Sequence, residues 1–479
     1  MRALLERADF NTQRIEATLG VGELSAAAGE TAVHRRRLAG DDAFSTIARL
    51  FMLGDAVEAS LVDAAIAPVT LDSLAALQLF ETECDGVRAT ARLLPHGDYY
   101  VASDHVAVEP SADWVAGIHA PSVTLAKLTL RRQVDATLDL GTGCGIQALL
   151  AAKHSARVFA SDVSERALAF ARFNAALNGI DVIDFRRGDL LEPVEGESFD
   201  LVVANPPYVI SPDSTFAYRD SGHPRDTLCR TIVRSVPGVL TEGAFAHILV
   251  SWVHAPGEGD EWSEPLRDWL RGTGCDAWLL HYRTDDPLAH AAGWLRPLAG
   301  TPEEHEAALD RWLDYLRRQE IEAVGYGAVV LRRRSGKPNW VRTDEIAIDR
   351  LEPATDHTLR VFAAEDYLAV MTDERALLEE RFALVDAHRL EQVLVCREGH
   401  FEVESQTLAL TDGLAFRAGL DRSTAMLIPH FDSRRRLADV LAAAEADLDV
   451  VPDDRERYAA AALAVVRRLL ELGFLVRAE

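Results

Sequence analysis

The sequence predicts an α/β fold with a doubly wound parallel sheet at its centre, flanked by an N-terminal and a C-terminal segment. Two observations carry this prediction. From about residue 136, apolar runs of strand length alternate with stretches of helical periodicity. The first of these runs also ends in a glycine-rich turn. Because such sheets bind ligands beyond the carboxyl ends of their strands, functional residues are expected in the turns that follow them.

The first predicted strand, residues 136–140, leads into the turn Gly141-Thr142-Gly143-Cys144-Gly145 and an apolar helix over residues 146–152. Glycines in such a turn let the backbone approach a ligand closely and direct the N-terminus of the helix at it. Taken alone, the GxGxG spacing is a weak signal, since nucleotide-binding folds of several kinds use it.

Carboxylates follow the next two predicted strands. The second strand, residues 157–162, ends in Asp162, which lies 17 residues after Gly145 (162 − 145). An acid at this position is the expected partner of ribose hydroxyls. The third strand, residues 184–187, leads to Gly188-Asp189-Leu190 and therefore to a second acid.

The fourth predicted strand, residues 199–204, ends in the tetrapeptide Asn205-Pro206-Pro207-Tyr208, here named the elbow. Each proline lacks an N–H and restricts the residue before it, so the chain is stiff at this point. The Asn205 side chain carries an acceptor and a donor in one plane, and Tyr208 supplies a flat ring. The elbow suits a planar group with an NH₂, such as a carboxamide or a nucleobase. A stiff loop without a ligand is the alternative.

Three more strands complete the predicted sheet, over residues 244–252, 275–283 and 324–333, with an amphipathic helix over residues 302–319. The loop of residues 216–223 follows the elbow. Its position predicts either a lid that contacts substrate, with Arg219 as a clamp, or a surface loop held by an internal ion pair.

Together, the glycine turn, the two acids and the elbow resemble the class I S-adenosylmethionine-dependent methyltransferases, which have a Rossmann-like core of seven strands. Within that superfamily, the Asn-Pro-Pro-Tyr motif is similar to that of the branch that methylates nitrogen. This branch includes the release-factor and ribosomal-protein glutamine methyltransferases and the small-domain rRNA methyltransferases. The resemblance covers residues 115–334, less than half of the chain. An NAD-dependent dehydrogenase fits less well, because the turn is GxGxG rather than GxGxxG and hydride transfer has no use for the elbow.

The resemblance implies S-adenosyl-L-methionine as cofactor and S-adenosyl-L-homocysteine as product, with no metal. It implies that the glycine turn lines the methionine and ribose part of the cofactor, that Asp162 binds the ribose hydroxyls, and that Asp189 lies near the adenine amine. The implied cofactor-binding residues are Asp139, Gly141, Thr142, Gly143, Gly145, Asp162, Asp189, Leu190 and Asn205. The implied catalytic residues are Asn205, Pro206, Pro207 and Tyr208.

No conventional base stands among these residues, and the chemistry explains why. The lone pair of an amide or aromatic amine nitrogen is delocalised, so the nitrogen is a poor nucleophile. Two acceptors, the Asn205 side-chain oxygen and the Pro206 carbonyl, can orient the NH₂ hydrogens and expose the lone pair. We therefore expect catalysis by orientation and electrostatics, with the proton leaving to water afterwards.

Length and pattern divide the chain of 479 residues into three predicted domains. Residues 1–104 are predicted to form a helical or winged-helix-like domain that recognises substrate or caps the sheet, with wing strands over residues 82–94 and 98–101. Residues 105–335 are the predicted methyltransferase domain. Residues 340–479 are predicted to form an α+β accessory domain, which could also be winged-helix-like.

Composition sets the expected location of the protein. Its five cysteines form no CxxC pair, which indicates a reducing compartment and excludes a zinc ribbon. The first residues are too charged for a signal peptide, and no apolar run approaches the length of a membrane span. The prediction is a cytoplasmic protein without a membrane partner.

Charge is the best sequence evidence on the substrate. A net charge of −26 disfavours nucleic acid, because binding phosphates needs a concentrated basic surface. A protein or peptide substrate with a glutamine-type amide is therefore favoured. Methylation of guanine N2 or adenine N6 in rRNA, tRNA or DNA stays open, since Arg131-Arg132, Arg186-Arg187 and Arg332-Arg333-Arg334 could form one basic patch. A scaffold that binds cofactor without turnover is the third alternative, and the sequence assigns no oligomeric state.

Overall fold

The structure is a computed structural model that describes residues 1–20, 28–76, 78–83, 86–105, 111–213, 219–220, 222–257, 261–295 and 301–478. Within these residues, the backbone contacts separate two compact units. The first unit comprises Met1–Leu125 and Gln133–Glu345, and the second comprises Ala126–Arg132 and Ile346–Glu479. The division into three domains stays a prediction.

The first unit begins with short helices and two β-hairpins. Its helices are α1 (Arg2–Arg7), α2 (Thr12–Leu19), α3 (Ala28–Arg37), α4 (Ala43–Ile47, extended by a π-helical turn over Ala48–Leu53), α5 (Ala59–Ile66) and α6 (Leu71–Ala76). The hairpins pair β1 (Phe80–Glu83) with β2 (Gly86–Ala89) and β3 (Arg92–His96) with β4 (Tyr99–Ser103). The sequence predicts helices over residues 43–53, 59–66 and 71–77, which correspond to α4 with its π-helical turn, α5 and α6, whereas α1 to α3 were not predicted.

The predicted wing of two strands is wrong, because residues 82–94 do not form one strand. A turn signal, Asp85-Gly86, lies inside that segment. Gly86 also passes so close to another part of the chain that an added Cβ would lie 2.4 Å from the Val57 carbonyl oxygen. Packing against the backbone at Val57 therefore divides the segment between two hairpins.

The core of the first unit alternates strands and helices around one mixed sheet. Its elements are α7 (Ala120–Leu128), β5 (Val134–Leu140), α8 (Ile146–Ala151), β6 (Ser155–Asp162), α9 (Glu165–Leu177), β7 (Ile183–Arg187), β8 (Phe199–Ala204), α10 (Thr227–Ser235), β9 (Leu240–His254), α11 (Glu264–Leu270), β10 (Cys275–Asp285), α12 (Pro287–Leu295), α13 (Pro302–Arg318), β11 (Ala323–Arg333) and β12 (Val341–Glu345). The strand order is β12-β10-β11-β9-β8-β5-β6-β7. Strand β11 pairs antiparallel with both of its neighbours, and the other pairs are parallel. The predicted class I core is confirmed, with β12 added at one edge as an eighth strand that was not predicted.

Strand register places the three predicted motifs side by side. Leu140 at the end of β5 pairs with Ser161 in β6 and with Ala204 in β8. The next residue of each strand is Gly141, Asp162 and Asn205, respectively. Because neighbouring strands lie about 4.8 Å apart, these three residues meet along one short stretch of the sheet edge.

Asn174 on α9 and Asn178, the C-cap residue of that helix, join the β3–β4 hairpin to the core. The buried Asn174 side chain accepts a hydrogen bond from Ala102 N at 2.7 Å and donates to Ala102 O at 2.9 Å. It also donates to the carbonyl of Cys144, in the glycine turn, at 2.8 Å. One turn later, Asn178 makes the same paired contact with the backbone of Tyr100. Asn174 therefore links the hairpin, α9 and the glycine turn.

We expect Asn174→Ala to lower the free energy of unfolding of the first unit by about 3 kcal/mol, because three buried backbone groups lose their partner. Chemical denaturation followed by tryptophan fluorescence measures this change. The exposed Asn339 serves as the control, and Asn339→Ala should cost less than about 1 kcal/mol. Equal midpoints for the two variants would show that the Asn174 contacts do not stabilise the unit.

The second unit has a mixed α+β composition. Its elements are α14 (Thr355–Val370), α15 (Glu374–Glu379), β13 (Arg381–Leu384), β14 (His388–Arg397), β15 (His400–Leu410), β16 (Arg417–Leu420), α16 (Arg422–Leu427), β17 (Asp432–Arg436), α17 (Leu437–Asp447), α18 (Arg455–Glu471) and β18 (Leu475–Arg477). Two sheets result, one in the order β17-β13-β18 and one in the order β14-β15-β16. Fully buried side chains from several elements, including Phe362, Phe382, Val466 and Phe474, form its interior. In the described part of the chain, no helix has both the length and the apolar character needed to cross a bilayer.

Candidate active site

A cavity of 470 Å³ lies at the sheet edge where the motifs meet, a size typical of small-molecule sites. It belongs entirely to the first unit. The cavity brings together these predicted site residues: Asp139, Gly141, Thr142, Gly143, Asp162, Asp189, Leu190, Asn205, Pro206, Pro207 and Tyr208. Of the predicted site residues, Gly145 alone is absent from this lining in the described part of the chain.

Asp139 organises the glycine turn. Its carboxylate is buried and accepts hydrogen bonds from Thr142 Oγ1 at 2.6 Å and from Ala148 N, in the first turn of α8, at 2.9 Å. A negative charge at a helix N-terminus is favourable, so Asp139 stabilises both the turn and the start of α8. Its contribution to the cavity is therefore mainly to hold the turn in shape.

The three glycines of the turn divide into two roles. All three have left-handed backbone angles, with φ of 73° at Gly141, 55° at Gly143 and 86° at Gly145. An added Cβ at Gly141 or Gly143 would meet no atom of the described residues within 4 Å. At Gly145 it would lie 2.9 Å from the Cβ of Ala171 on α9. Gly145 thus permits close packing of helices, while Gly141 and Gly143 leave space open for a ligand.

Asp162 presents its carboxylate to the cavity from the end of β6. Its Oδ2 accepts a hydrogen bond from Gly143 N and its Oδ1 accepts one from Ser164 N, both at 2.9 Å. Burial raises the pKa of this carboxyl above its ordinary value, although the backbone donors act in the opposite direction. Each carboxylate oxygen can accept a second hydrogen bond, so Asp162 keeps capacity for ligand hydroxyls.

Two buried polar atoms in the lining have no hydrogen-bond partner among the described residues. They are Gln147 Oε1 on α8 and Ser161 Oγ on β6. The other end of the Gln147 amide donates to the carbonyl of Ser122 at 2.8 Å, which fixes the orientation of the side chain. A buried acceptor without a partner costs free energy unless a ligand or water satisfies it. These atoms, together with the open space at Gly141 and Gly143, fit a bound polar cofactor.

Asp189 and Leu190 lie at the outer rim of the cavity. Asp189 is exposed, and Leu190 has a left-handed φ of 46°. Gly188 before them packs against Pro193, whose Cγ would lie 2.6 Å from an added Cβ. The turn thus directs residues 189 and 190 to the side of the cavity that Asp162 also borders.

The elbow forms the opposite wall. Asn205 is half-buried, and its side chain makes no hydrogen bond with any described residue. Tyr208 is 9 % exposed, and burial raises the pKa of its phenol well above its ordinary value, so the ring stays neutral. The Trp294 ring stands at 75° to the Tyr208 ring, with their centroids 6.4 Å apart. The Asn205 amide, which has no hydrogen-bond partner among the described residues, therefore lines the cavity together with the Tyr208 and Trp294 rings.

The loop after the elbow falls partly outside the described residues, which include neither residues 214–218 nor residue 221. The lid prediction for residues 216–223 therefore stays a prediction. At the end of the loop, Arg219 Nε lies 2.8 Å from Asp220 Oδ1, and both side chains are almost fully buried. Ser211 Oγ also donates to Asp220, at 2.9 Å. For Arg219, the predicted internal ion pair is confirmed, so its charge is already matched.

Several lining residues were not predicted from the sequence as site residues. They include Asp113, Trp114, Gln147, Ser161 and Trp294. Gln147 had a usable signal, since it is the one polar residue in the helix Ile146–Ala151. Trp294 had no such sequence signal, because it lies far along the chain from the elbow and comes close to the elbow only in the tertiary structure.

Comparison with known families gives three matches along the chain. Residues 120–219 match the methyltransferase small domain. Residues 7–90 and 360–477 match two domains of unknown function, DUF7059 and DUF7782. The first match covers the glycine turn, both acids and the elbow.

Curated relatives match parts of the chain that are 69 to 100 residues long. The release factor glutamine methyltransferase of Xylella fastidiosa is 42% identical over 100 residues, which is 20% of this chain and 36% of that protein. The ribosomal protein L11 methyltransferase of Lactobacillus johnsonii is 48% identical over 69 residues, 14% of this chain and 22% of that protein. The ribosomal protein uL3 glutamine methyltransferase of Bradyrhizobium diazoefficiens is 44% identical over 79 residues, 16% and 25% of the two chains.

The aligned segments thus span between about a fifth and just over a third of the length of these relatives. The sheet order and the glycine turn agree with the family match. Residues 120–219 match the methyltransferase small domain, and the resemblance of this core to the class I S-adenosylmethionine-dependent methyltransferases is confirmed.

Proposed function

We propose that this protein transfers a methyl group from S-adenosylmethionine to a planar amide or amine nitrogen, most favourably on a protein or peptide. One observation carries the proposal above all. Register places Gly141, Asp162 and the uncommitted Asn205 amide next to one another on the wall of a single cavity. The curated relatives that match the chain are named for methylation of release factors and ribosomal proteins.

The cofactor side of the cavity is formed by the glycine turn and the end of β6. Gly141 and Gly143 would admit the cofactor closely, and Asp162 would accept hydrogen bonds from its ribose hydroxyls. Gln147 Oε1 and Ser161 Oγ would gain the partners that they lack among the described residues. When bound, the cofactor supplies an electrophilic methyl group on a sulfonium.

The acceptor side is formed by the elbow. The Asn205 side-chain oxygen and the Pro206 carbonyl can each accept one hydrogen of an NH₂ group and so fix its plane. Held in this way, the nitrogen directs its lone pair at the methyl group, and the same oxygens stabilise the positive charge that develops on it. The Tyr208 ring can stack on the plane of the acceptor.

The charge of the lining supports a cationic cofactor and disfavours a phosphate backbone. In the described residues, five aspartates line the cavity, Asp113, Asp139, Asp162, Asp189 and Asp220, against one arginine, Arg219. A ligand with one sulfonium, one ammonium and one carboxylate carries a net positive charge and is attracted by this excess. Polyphosphate chains are repelled by it.

In two of the three basic stretches, arginines pair with carboxylates of the first unit. Arg332 and Arg334 both pair with the buried Asp276, at 2.6 Å and 3.3 Å. Arg186 pairs with Asp184 and Glu197. Their charges are therefore partly neutralised, which supports a protein acceptor over an rRNA, tRNA or DNA base.

Transfer of radiolabelled methyl groups in a cell extract tests the proposal. We expect the label in acid-precipitable material that resists nuclease and is released by protease. Label that resists protease and is released by RNase or DNase would replace the protein acceptor with a nucleic acid base. Binding of cofactor without any transferred label would reduce the protein to a scaffold and contradict the proposal.

A further inference from the structure

Helices α12 and α13, here named the insert, occupy the connection between β10 and β11. These strands are antiparallel neighbours, and a two-residue turn is enough to connect such a pair. Here 37 residues separate Asp285 from Ala323 (323 − 285 − 1). The long connection is therefore not needed to build the sheet.

Polar contacts fasten the insert to the chain that leaves the elbow. His290 Nε2, on α12, lies 2.7 Å from the carbonyl oxygen of Ile210. Asp213 accepts a hydrogen bond from Trp312 Nε1 at 3.0 Å and pairs with Arg311 at 2.9 Å, both on α13. Val209 also packs in one apolar cluster with residues of both helices. The insert thus packs against the chain directly after the elbow through both polar and apolar contacts.

The hydrogen-bonding groups behind Trp294 determine which atom donates in each contact. Burial lowers the pKa of His290 to about 4, so the imidazole is neutral and has one donor and one acceptor. Because the Ile210 carbonyl can only accept, Nε2 is the donor and Nδ1 accepts from the Tyr326 hydroxyl. The Tyr326 oxygen then accepts from Trp294 Nε1 at 3.0 Å. This relay of Trp294, Tyr326 and His290 holds the indole by its N–H.

The held indole is a wall of the cavity. Trp294 and Tyr208 both line it, and their rings stand at 75° to each other. A planar group fits into the corner between these two rings, with one ring against the face of the group and the other ring against its edge. Aromatic faces also stabilise a cation, which is the charge that a nitrogen acquires as it is methylated.

Resting on the proposed function, we propose that Trp294 is the specificity-determining residue for the acceptor, with Tyr326 and His290 as its positioning residues. The corner formed with Tyr208 selects a flat, uncharged acceptor group. An anionic acceptor group would not form an ion pair with Arg219 there, because the guanidinium is already paired with Asp220. The insert therefore restricts which nitrogen reaches the elbow and does not take part in cofactor binding.

A set of variants tests this assignment. Trp294→Ala removes the wall, and Trp294→Phe keeps a ring but loses the N–H. Tyr326→Phe removes the oxygen that holds the indole. The control is Tyr458→Phe, because the Tyr458 hydroxyl is buried without a hydrogen-bond partner in the described chain. Total protein extract serves as acceptor in a labelled-methyl assay, titrated to give the half-saturating extract concentration, while calorimetry gives the Kd for S-adenosylhomocysteine.

We expect Trp294→Ala to raise the half-saturating extract concentration at least about tenfold, with the Kd for S-adenosylhomocysteine within about twofold of wild type. Trp294→Phe and Tyr326→Phe should each raise it about threefold. The double variant Trp294→Phe/Tyr326→Phe should raise the half-saturating concentration no more than either single variant does, since both changes remove the hydrogen bond between Trp294 and Tyr326. Tyr458→Phe should change neither quantity.

Each contrary result has its own meaning. An unchanged half-saturating concentration in Trp294→Ala would overturn the role of Trp294 in specificity. Multiplying effects in the double variant would overturn the positioning role of Tyr326, because the two groups would then act separately. Failure of the proposed function is distinguishable, since wild-type protein would then transfer no label.

Discussion

Asn205→Ala is expected to lower the rate of methyl transfer by about 10²–10³-fold, because the acceptor nitrogen loses a preorganised hydrogen-bond acceptor in the transition state. Cofactor affinity should change little, since Gly143 and Asp162 retain their contacts. Single-turnover transfer of labelled methyl groups and calorimetric titration with S-adenosylhomocysteine measure the two quantities separately.

Two variants control the Asn205 prediction. Asn339→Ala makes the same change at an exposed site outside the cavity and should leave transfer at the wild-type rate. Asn205→Asp keeps the shape and an acceptor oxygen, so it should retain more activity than Asn205→Ala. Normal single-turnover transfer by Asn205→Ala, together with lost cofactor binding, would show that Asn205 belongs to the cofactor site and does not orient the acceptor.

Gly143→Ala is expected to weaken cofactor binding by at least about tenfold, because the added methyl group enters the open space beside the turn. The left-handed backbone adds a stability cost of about 1–2 kcal/mol, which any L residue would cause there. Titration with S-adenosylhomocysteine gives the affinity, and thermal unfolding without ligand gives the stability.

Gly196 provides a matched control for this strain. It has a left-handed φ of 83°, an added Cβ meets no atom of the described residues within 4 Å, and it lies on the surface outside the cavity lining. Gly196→Ala should therefore match the stability loss of Gly143→Ala and keep wild-type affinity. If both variants weaken binding to the same degree, strain rather than occupation of the cavity explains the effect.

The sequence predicted the sheet and most of the site because these signals are local. Each strand end carries its motif in the next residue, as with Leu140 and Gly141 or Ala204 and Asn205. Once the strands are parallel and in register, the motifs must converge. The roles within the turn were harder to predict, since Gly145 differs from Gly143 only through its contact with Ala171 on another helix.

The remaining features depend on partners that are distant in the chain. Asn174 bonds Ala102 across 72 residues, and nothing in either local sequence indicates this pairing. Trp294 is held by Tyr326 across 32 residues and reaches the elbow through the insert. The eighth strand, β12, follows a Gly-Lys-Pro segment that reads as a linker, so its addition to the sheet was missed. Such tertiary contacts override local patterns.

A crystal structure of the full chain with S-adenosylhomocysteine tests whether these residues form the methyl-transfer site. We expect electron density inside the cavity, with the ribose hydroxyls on Asp162, the amino-acid portion beside Gly141 and Gly143, and the sulfur facing Asn205. Density elsewhere in the molecule, or a sulfur turned away from the elbow, would contradict the assignment of these residues to methyl transfer.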